Sequence, residues 1–160
     1  MRSLTICKNE KGEVKIAQFG RTDERDKAVE IDQFTAFVSS PEKLNGLKKA
    51  LTYVSFWTEK TQGGFLKSLM AGNKTAVEHY EKYCDPEIGV GILEAILGAK
   101  KEIKLYGYAN KADDFMFCDV VFVVDFSKNK AYYKSGGEVH EYNIVFDNMN
   151  NTRGYYGKNL

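Results

Sequence analysis

The chain opens with two β-rich stretches, residues 3–8 and 13–19, separated by the turn-forming sequence Asn-Glu-Lys-Gly. In the second stretch Val14 and Ile16 alternate with their neighbours, and this period of two is typical of a strand with one buried face. Gly12 supplies the positive φ that a tight turn needs. The beginning of the chain therefore predicts a β-hairpin.

The middle of the chain has the spacing of amphipathic helices. A dense run of charges at 21–32 predicts a solvated loop that enters the first helix near residue 28. Ser40 followed by Pro41 is a typical helix start, and the same pattern recurs at 85–86. The expected helical segments are about 28–38, 41–54, 65–71, 74–83 and 86–97, with a break at 61–64 and an end at Gly98.

The last third of the chain returns to strand-like patterns. Residues 103–106 form one candidate strand, and 116–126 is the most apolar run of the chain. Turn sequences at 127–130 and 135–138 then separate two further β-rich stretches. This arrangement predicts a three-stranded antiparallel meander.

The order of hairpin, helices and meander indicates an α+β fold. We expect the N-terminal hairpin and the C-terminal meander to form one antiparallel sheet, with the central helical segment packed on one face. The sequence shows no internal repeat, so residues 1–146 are expected to form a single domain. Residues 147–160 are polar and rich in Asn and Gly, which predicts a flexible tail.

Composition and charge narrow the classes of function. The 160 residues are 43% hydrophobic and 28% charged, which is enough for one core. Twenty-three Lys and Arg against 22 Asp and Glu give a net charge of +1, which argues against a strongly basic nucleic-acid binder and against an acidic DNA mimic. The N-terminus lacks the apolar core of a secretion signal, and no stretch reaches the roughly 18 apolar residues of a membrane span. We therefore expect a soluble, cytoplasmic protein that does not contact a membrane.

Three cysteines, Cys7, Cys84 and Cys118, lie far apart and include no C-x-x-C pair, which excludes a zinc ribbon and a thioredoxin-type motif. Their apolar neighbours favour three buried, reduced thiols. A Cys–His nucleophilic pair is the first enzymatic alternative, and only His79 and His140 are available as its base. No sequence typical of a catalytic cysteine surrounds any of the three thiols.

Acidic residues offer a second enzymatic alternative. Asp113 and Asp114, together with Asp119 and Asp125, could bracket a metal ion or act as acid and base, because hard cations prefer clustered oxygens. These positions are more typical of a loop and of a strand end, so we expect no metal. The sequence Gly-Val-Gly at 89–91 lacks the preceding strand and the third glycine of a dinucleotide loop, and we expect no cofactor.

Aromatic residues are more numerous than a small core requires, with ten Tyr and ten Phe. Tyrosine is favoured at protein interfaces, so a binding surface is a better expectation than an active site. Lysines alternate with aromatic residues on the meander and again in the tail, a combination that also holds single-stranded nucleic acid. The expected binding residues are Tyr132, Tyr133, Lys134, Tyr155 and Tyr156.

Three stretches of the chain match, in order and at plausible spacing, stretches found together in other proteins. They are MRSLTICK with VKIAQFG in the hairpin, DPEIGVGIL at 85–93, and FMFCDVVFVVDF at 115–126 followed by a Lys-Asn turn. Together they resemble a group of small phage and prophage proteins of uncharacterised activity. At 21–27 this chain has RTDERDK where the group has a glycine-rich loop with a Trp-Asp-Gly-Tyr-Pro sequence. The resemblance therefore implies a shared scaffold and a phage origin, but no site.

These observations lead to three hypotheses of function. The first is a phage-encoded inhibitor of a bacterial defence system, similar to an anti-CRISPR protein, that binds a host protein in the host cytoplasm without catalysis. The second is a module that binds nucleic acid or a nucleotide. The third is a small hydrolase that depends on a cysteine or on carboxylates. The sequence leaves the oligomeric state and the target open.

Overall fold

A computed structural model describes residues 2–21, 27–107 and 118–145 of the chain. The strands are β1 Arg2–Lys8, β2 Val14–Arg21, β3 Val54–Phe56, β4 Ile103–Leu105, β5 Val120–Asp125, β6 Lys130–Ser135 and β7 Glu138–Asn143. The α-helices are α1 Lys27–Val38, α2 Pro41–Ala50, α3 Glu59–Met70, α4 Lys74–Tyr83 and α5 Ile92–Ala95, with 3₁₀ segments at Leu51–Tyr53 and Pro86–Gly91. The predicted hairpin, helical middle and meander are present, and the α+β class is confirmed.

Hairpin and meander share a five-stranded sheet in the order β2-β1-β5-β6-β7. Neighbouring strands run antiparallel except β1 and β5, which pair in parallel from Ser3 opposite Val120 to Lys8 opposite Asp125. The sheet is thus mostly antiparallel, and the expectation fails at this one pair. The reason is topological. Strand β2 returns the chain to the end of the sheet where β1 begins, and after the helices β5 begins at that same end.

Strand β5 lies at the centre of the sheet, and all six of its residues are buried. Phe122 belongs to the main core between the sheet and the helices, whereas Val121 and Val123 belong to a smaller cluster on the opposite face. Because both faces of β5 are covered, its sequence is a continuous apolar run rather than an alternation.

Helices α1, α2 and α5 build the main core against the sheet. Phe34 of α1 packs on Phe122 with ring centroids 5.0 Å apart, and Leu47 of α2 and Ile92 of α5 have no exposed surface. Burying such side chains contributes about 1.5–3 kcal/mol each, which is the main force that holds the helices to the sheet. Among the helices in the described ranges, none has the length and hydropathy needed to cross a bilayer.

Side-chain caps fix where α2 and α4 begin, and the cap of α2 is the one that the sequence predicts at Ser40. The Ser40 hydroxyl accepts a hydrogen bond from the Lys43 amide at 3.2 Å and so starts α2. The Asn73 side chain does the same for Ala76 at 3.0 Å and starts α4. Each cap satisfies an amide that the helix itself leaves without a partner.

Helix α3 runs through the predicted break at 61–64 and begins six residues earlier than the predicted segment 65–71. Thr58 and Thr61 form a capping box in which each side chain accepts a hydrogen bond from the other residue's backbone amide. This cap starts the helix before Gly63 and Gly64 are reached. Each glycine lowers helix propensity by about 1 kcal/mol, and the cap and the packing of the helix outweigh that cost.

The predicted helix over 86–97 is bent by Gly89, whose φ of 54° and ψ of −132° are not helical. The bend gives a 3₁₀ segment followed by the short helix α5. It is held by Glu30 of α1, which is buried and accepts a hydrogen bond from the Val90 amide at 3.0 Å. The charged run at 21–32 is therefore not wholly solvated. Residues 22–26 of that run lie outside the described part of the structure.

The sequence did not predict a second sheet, in which β3 pairs in parallel with the candidate strand β4. Each strand has three residues, and Val54 lies opposite Ile103. A bridge between Ala17 and Gly107 connects β4 to the β2 edge of the main sheet. Three-residue strands carry too little alternation to be recognised as a pair.

Three polar side chains are buried on the helix-facing side of β1 and β2. They are Ser3, Thr5 and Gln18, each at most 2% exposed, and the Ser3 and Thr5 hydroxyl oxygens and Gln18 Oε1 have no hydrogen-bond partner among the residues that the structure describes. A buried polar atom without a partner costs about 1–3 kcal/mol. These atoms are therefore a local source of instability in the folded state.

Replacing the Thr5 hydroxyl with a methyl group tests this cost. We expect Thr5→Val to leave the free energy of unfolding unchanged or to raise it by about 1 kcal/mol, because it removes a buried hydroxyl that bonds to nothing. Chemical denaturation with equal m-values is the measurement.

The matched control is Thr35→Val. The Thr35 hydroxyl lies 3.2 Å from the Tyr142 hydroxyl, so this substitution removes a hydrogen bond and should lower stability by about 1 kcal/mol. If Thr5→Val destabilises the protein as much as Thr35→Val does, the Thr5 hydroxyl has a partner after all.

Candidate functional site

The structure divides the predicted binding residues of the meander between the two faces of the sheet. Tyr133 faces the helices and is only 8% exposed, packing 6.3 Å from Phe34 and 6.2 Å from Phe122 between ring centroids. Tyr132 and Lys134 lie on the other face, where the lysine ammonium is 5.9 Å from the Tyr132 ring centroid. Because adjacent residues of a strand point in opposite directions, Tyr133 shares no surface with its two neighbours.

Tyr133, which the sequence analysis expects at a binding surface, is therefore a core residue. Burial is also the main reason that its hydroxyl pKa is raised. The other two predicted residues, Tyr155 and Tyr156, lie outside the residues that the structure describes.

The buried cysteines are poorly suited to nucleophilic catalysis. Cys7 is fully buried and Cys84 is 3% exposed, and burial raises the pKa of both thiols, that of Cys84 to about 12. The reactive species is the thiolate, so these two side chains are inert at neutral pH. Cys118 is half-buried, so the expectation of three buried thiols holds for two of them.

The two histidines are engaged elsewhere. His79 Nε2 lies 2.8 Å from the Lys104 carbonyl oxygen, which requires the ring N–H to donate. The His140 ring stacks on Tyr133 with centroids 4.6 Å apart, and its Nε2 is 3.3 Å from a Glu138 carboxylate oxygen. These contacts orient both rings for structural roles.

The described carboxylates of the predicted acidic site lie at opposite ends of β5. Asp119 accepts a hydrogen bond from the Arg2 amide at 2.8 Å, and Asp125 accepts one from the Ser127 amide at 2.9 Å. Within residues 2–21, 27–107 and 118–145, no group of three or more His, Cys, Asp or Glu side chains is arranged to hold a metal ion. Asp113 and Asp114 lie outside those ranges.

A cavity of about 300 Å³ lies between α1, α2 and α5. Phe37 and Leu93 contribute apolar lining, and an ion pair between Lys43 and Glu94 lies at the same cavity. Neither a thiol nor an imidazole lines it, and its one carboxylate is already bound by a lysine. The cavity has no group prepared to act as a nucleophile.

A cluster of five aromatic rings lies where α3 and α4 cover the second sheet, and we call it the Trp57 cluster. Its members are Trp57, Phe65, His79, Tyr83 and Tyr106, all half-buried. Trp57 is the single tryptophan of the chain. It stacks on Phe65 at 4.3 Å between centroids and lies 5.2 Å from both His79 and Tyr106.

Backbone pairing positions this cluster. Trp57 follows β3 and Tyr106 follows β4, and the Trp57 amide donates to the Leu105 carbonyl at 3.0 Å, which brings the two rings side by side. Phe65 reaches Trp57 from α3. His79 reaches it from α4, fixed by its bond to the Lys104 carbonyl. The five rings thus come from four elements: the ends of β3 and β4, helix α3, and helix α4, which supplies both His79 and Tyr83.

Helix α3 buries only part of its apolar face. None of its residues is buried, and Phe65 and Leu69 are half-buried on the side of the Trp57 cluster. Leu66 is 38% exposed and Met70 is 87% exposed. The helix therefore presents an apolar strip to the surface beside a layer of aromatic rings.

We call one side of this helix the α3 surface: the half-buried Gly63 and the exposed Leu66 and Met70, with the exposed Lys60 and Lys67 beside them. The first three positions follow the i, i+3, i+7 spacing of one helical stripe. A Cβ placed on Gly63 or Gly64 would meet no atom within 4 Å, so the side of the helix is open there. The chain leaves a large apolar side chain, Met70, almost wholly exposed to solvent.

Sequence reasoning missed the α3 surface because it placed a break at 61–64. The remaining segment 65–71 covers two turns, which are too few to define a face. Two signals pointed to it: the Thr58-x-x-Thr61 capping pattern and the single tryptophan just before it. Comparisons with protein-family models, with curated proteins and with solved structures give no match to this chain.

Alanine substitution of the α3 glycines should stabilise the protein. We expect Gly64→Ala to raise the free energy of unfolding by about 1 kcal/mol, because alanine has the higher helix propensity and the added methyl group meets nothing. Thermal or chemical denaturation is the measurement. The control is Gly20→Ala, whose Cβ would lie 2.9 Å from the Gly89 Cα and should destabilise strongly. A loss of stability in Gly64→Ala would contradict the open environment of this helix.

The buried thiols should resist modification. In a Cys118→Ser variant, we expect Ellman's reagent at pH 8 to modify Cys7 and Cys84 at least ~100-fold more slowly in the folded protein than in denaturant, because the folded state keeps both thiols protonated and covered. Two rapidly reacting thiols in denaturant are the control. A thiol that reacts equally fast in both conditions would restore a cysteine nucleophile as a candidate.

Proposed function

We propose that this protein acts by binding another protein without catalysis, and that it is a phage-encoded inhibitor of a bacterial defence system. The observation that carries the binding role is the exposure of Leu66 and Met70 beside the Trp57 cluster. The phage origin and the defence target rest on the resemblance of the hairpin, the 85–93 stretch and the β5 stretch to small phage proteins.

The chemistry of the α3 surface supports a protein partner. Aromatic residues and methionine are enriched in protein interfaces, and binding energy concentrates in a few such residues near the centre of the contact. The flexible side chain of Met70 adapts to the shape of a partner. The Trp57 cluster packs against α3 and holds it in place, so that few side chains of the helix have to become ordered when a partner binds.

The enzymatic alternative has less support. Cys7 and Cys84 are protonated, and Asp119 and Asp125 accept hydrogen bonds from backbone amides at opposite ends of one strand. An active site needs a nucleophile and a base within hydrogen-bonding reach of each other. Asp125 also accepts a hydrogen bond from the Ser127 hydroxyl, but the same oxygen accepts one from the Ser127 amide, so this contact belongs to the turn after β5.

The nucleic-acid alternative is weakened by the neighbours of the meander lysines. Lys130 pairs with Glu141 at 3.0 Å, and Glu138 lies on the same edge strand β7. These carboxylates offset the positive charge that phosphate contacts would need. Tyr132 and Lys134 remain a small exposed patch, which the experiment below tests separately.

The test is a phage-plating assay in bacteria that carry an active RNA-guided nuclease. We expect expression of the protein to protect a sensitive phage and the Leu66→Glu/Met70→Glu variant to lose that protection. Placing two charges in the apolar strip should weaken binding by at least ~30-fold. Circular dichroism and thermal denaturation of the variant should match the wild type, because neither side chain is buried.

Val139→Glu is the matched control. Val139 is 55% exposed and lies opposite Lys134 on the face of the main sheet that is turned away from the helices. The variant should protect the phage as well as the wild type does. Loss of protection in this variant alone would indicate that the binding surface lies on the meander and not on α3. Failure of the wild type against a panel of defence nucleases would contradict the anti-defence role.

A further inference from the structure

The α3 surface has an asymmetric border that restricts what can bind to it. One side of the stripe is closed by Phe65 and Leu69, which face the Trp57 cluster. The other side carries Lys60 and Lys67, two exposed residues seven positions apart on the same edge of the helix. The open strip therefore lies between aromatic rings and a row of positive charge.

Neither lysine forms an ion pair within the described part of the chain, and one exposed carboxylate of the helix, that of Glu59, precedes Lys60 at the N-terminal end of the strip. The ion pairs there involve other lysines, those at positions 43, 48, 104 and 130. An exposed ammonium beside an apolar strip favours a partner whose carboxylate lies at the same position along the axis of α3. The charge thus selects for acidic residues next to the apolar contact.

The dimensions of the strip fit a helix. Gly63 and Met70 are seven residues apart, which is about 10 Å along the helix axis or two turns. A partner helix presents anchors at i, i+3 and i+7 over the same length. The open environment of Gly63 allows a close approach of the partner at one end of the strip.

We infer that the α3 surface binds an acidic amphipathic helix of the partner protein, with apolar anchors on Leu66 and Met70 and carboxylates on Lys60 and Lys67. This inference rests on the proposed binding function and specifies the partner's chemistry. It also fixes how the partner helix is rotated about its own axis, because the acidic edge of the partner must lie on the lysine side and away from the Trp57 cluster.

A second copy of the chain is a poorer occupant. Antiparallel pairing of two α3 helices about a two-fold axis places the lysine border of one copy against the same border of the other. Like charges at that distance repel. A bilayer is poorer too, because only Leu66 and Met70 of the apolar face are free to enter it, while Phe65 is held against Trp57.

The experiment uses three synthetic helical peptides of about 18 residues, stapled and free of tryptophan. The acidic peptide carries Leu at i, i+3 and i+7 with Glu on the flanking edge. The second peptide has Lys in place of each Glu, and the third has Ser in place of each Leu. Fluorescence of Trp57, the single tryptophan, reports binding next to Phe65 in the full-length protein.

We expect the acidic peptide to bind at least ~10-fold more tightly than the lysine peptide, and the serine peptide not to bind. Raising salt from about 50 to about 300 mM should weaken the acidic complex, because the charges are exposed. The Lys60→Glu/Lys67→Glu variant should reverse the preference between the two charged peptides. Leu66→Glu/Met70→Glu should bind none of them.

Equal affinity for the two charged peptides, or no binding of the acidic one, overturns the inference. Binding to vesicles of anionic lipid without peptide binding overturns it in favour of a membrane, and a dimer abolished by Leu66→Glu/Met70→Glu overturns it in favour of a second copy. If the phage assay depends on Leu66 and Met70 while the acidic peptide fails to bind, the proposed function stands and only the partner chemistry is wrong.

Discussion

The parallel pairing of β1 with β5 is the constraint on which the rest of the structure depends. It joins the start of the chain to a strand more than a hundred residues later, and the Arg2 amide bonds the Asp119 carboxylate across a separation of 117 positions. Because β2 returns the chain to the end of the sheet where β1 and β5 both begin, the helices lie in a connection that starts and finishes at that end. Their packing on Phe122 and its neighbours builds the main core. Without this pairing, hairpin and meander would be two small sheets of two and three strands, which are marginally stable on their own.

The sequence predicts well those features that depend on a few adjacent residues. Turn residues located the hairpin and the meander, and the Ser40 and Asn73 caps begin helices where the pattern places them. The failures have a different physical origin, because they depend on contacts between distant parts of the chain. Gly63 and Gly64 indicate a break, yet the capping box and the packing of Phe65 keep the helix intact. Hairpins and meanders imply antiparallel neighbours, and no local pattern reveals which strand a hairpin will join.

The candidate surface shows the same division between local and distant information. Composition predicts more aromatic residues than a core of this size needs, but it cannot assign them to a face. The three stretches on which the proposed phage origin rests, where the structure describes them, form one contiguous unit: β1 and β2 pair, β1 pairs with β5, and Gly20 of β2 lies against Gly89. The α3 surface lies outside those stretches.

The same long-range pairing has a consequence for how the chain is made. Protein synthesis proceeds at about 5–20 residues per second, so the hairpin of β1 and β2 emerges from the ribosome roughly 5–20 seconds before β5 does. During that interval the edge of β1 that will pair with β5 has no strand to bond, and Leu4 and Ile6 lack the valines that cover them in the finished fold. An apolar strand edge exposed in this way attracts other chains. The nascent hairpin is thus the stage of synthesis at which this edge of β1 is most open to pairing with other chains.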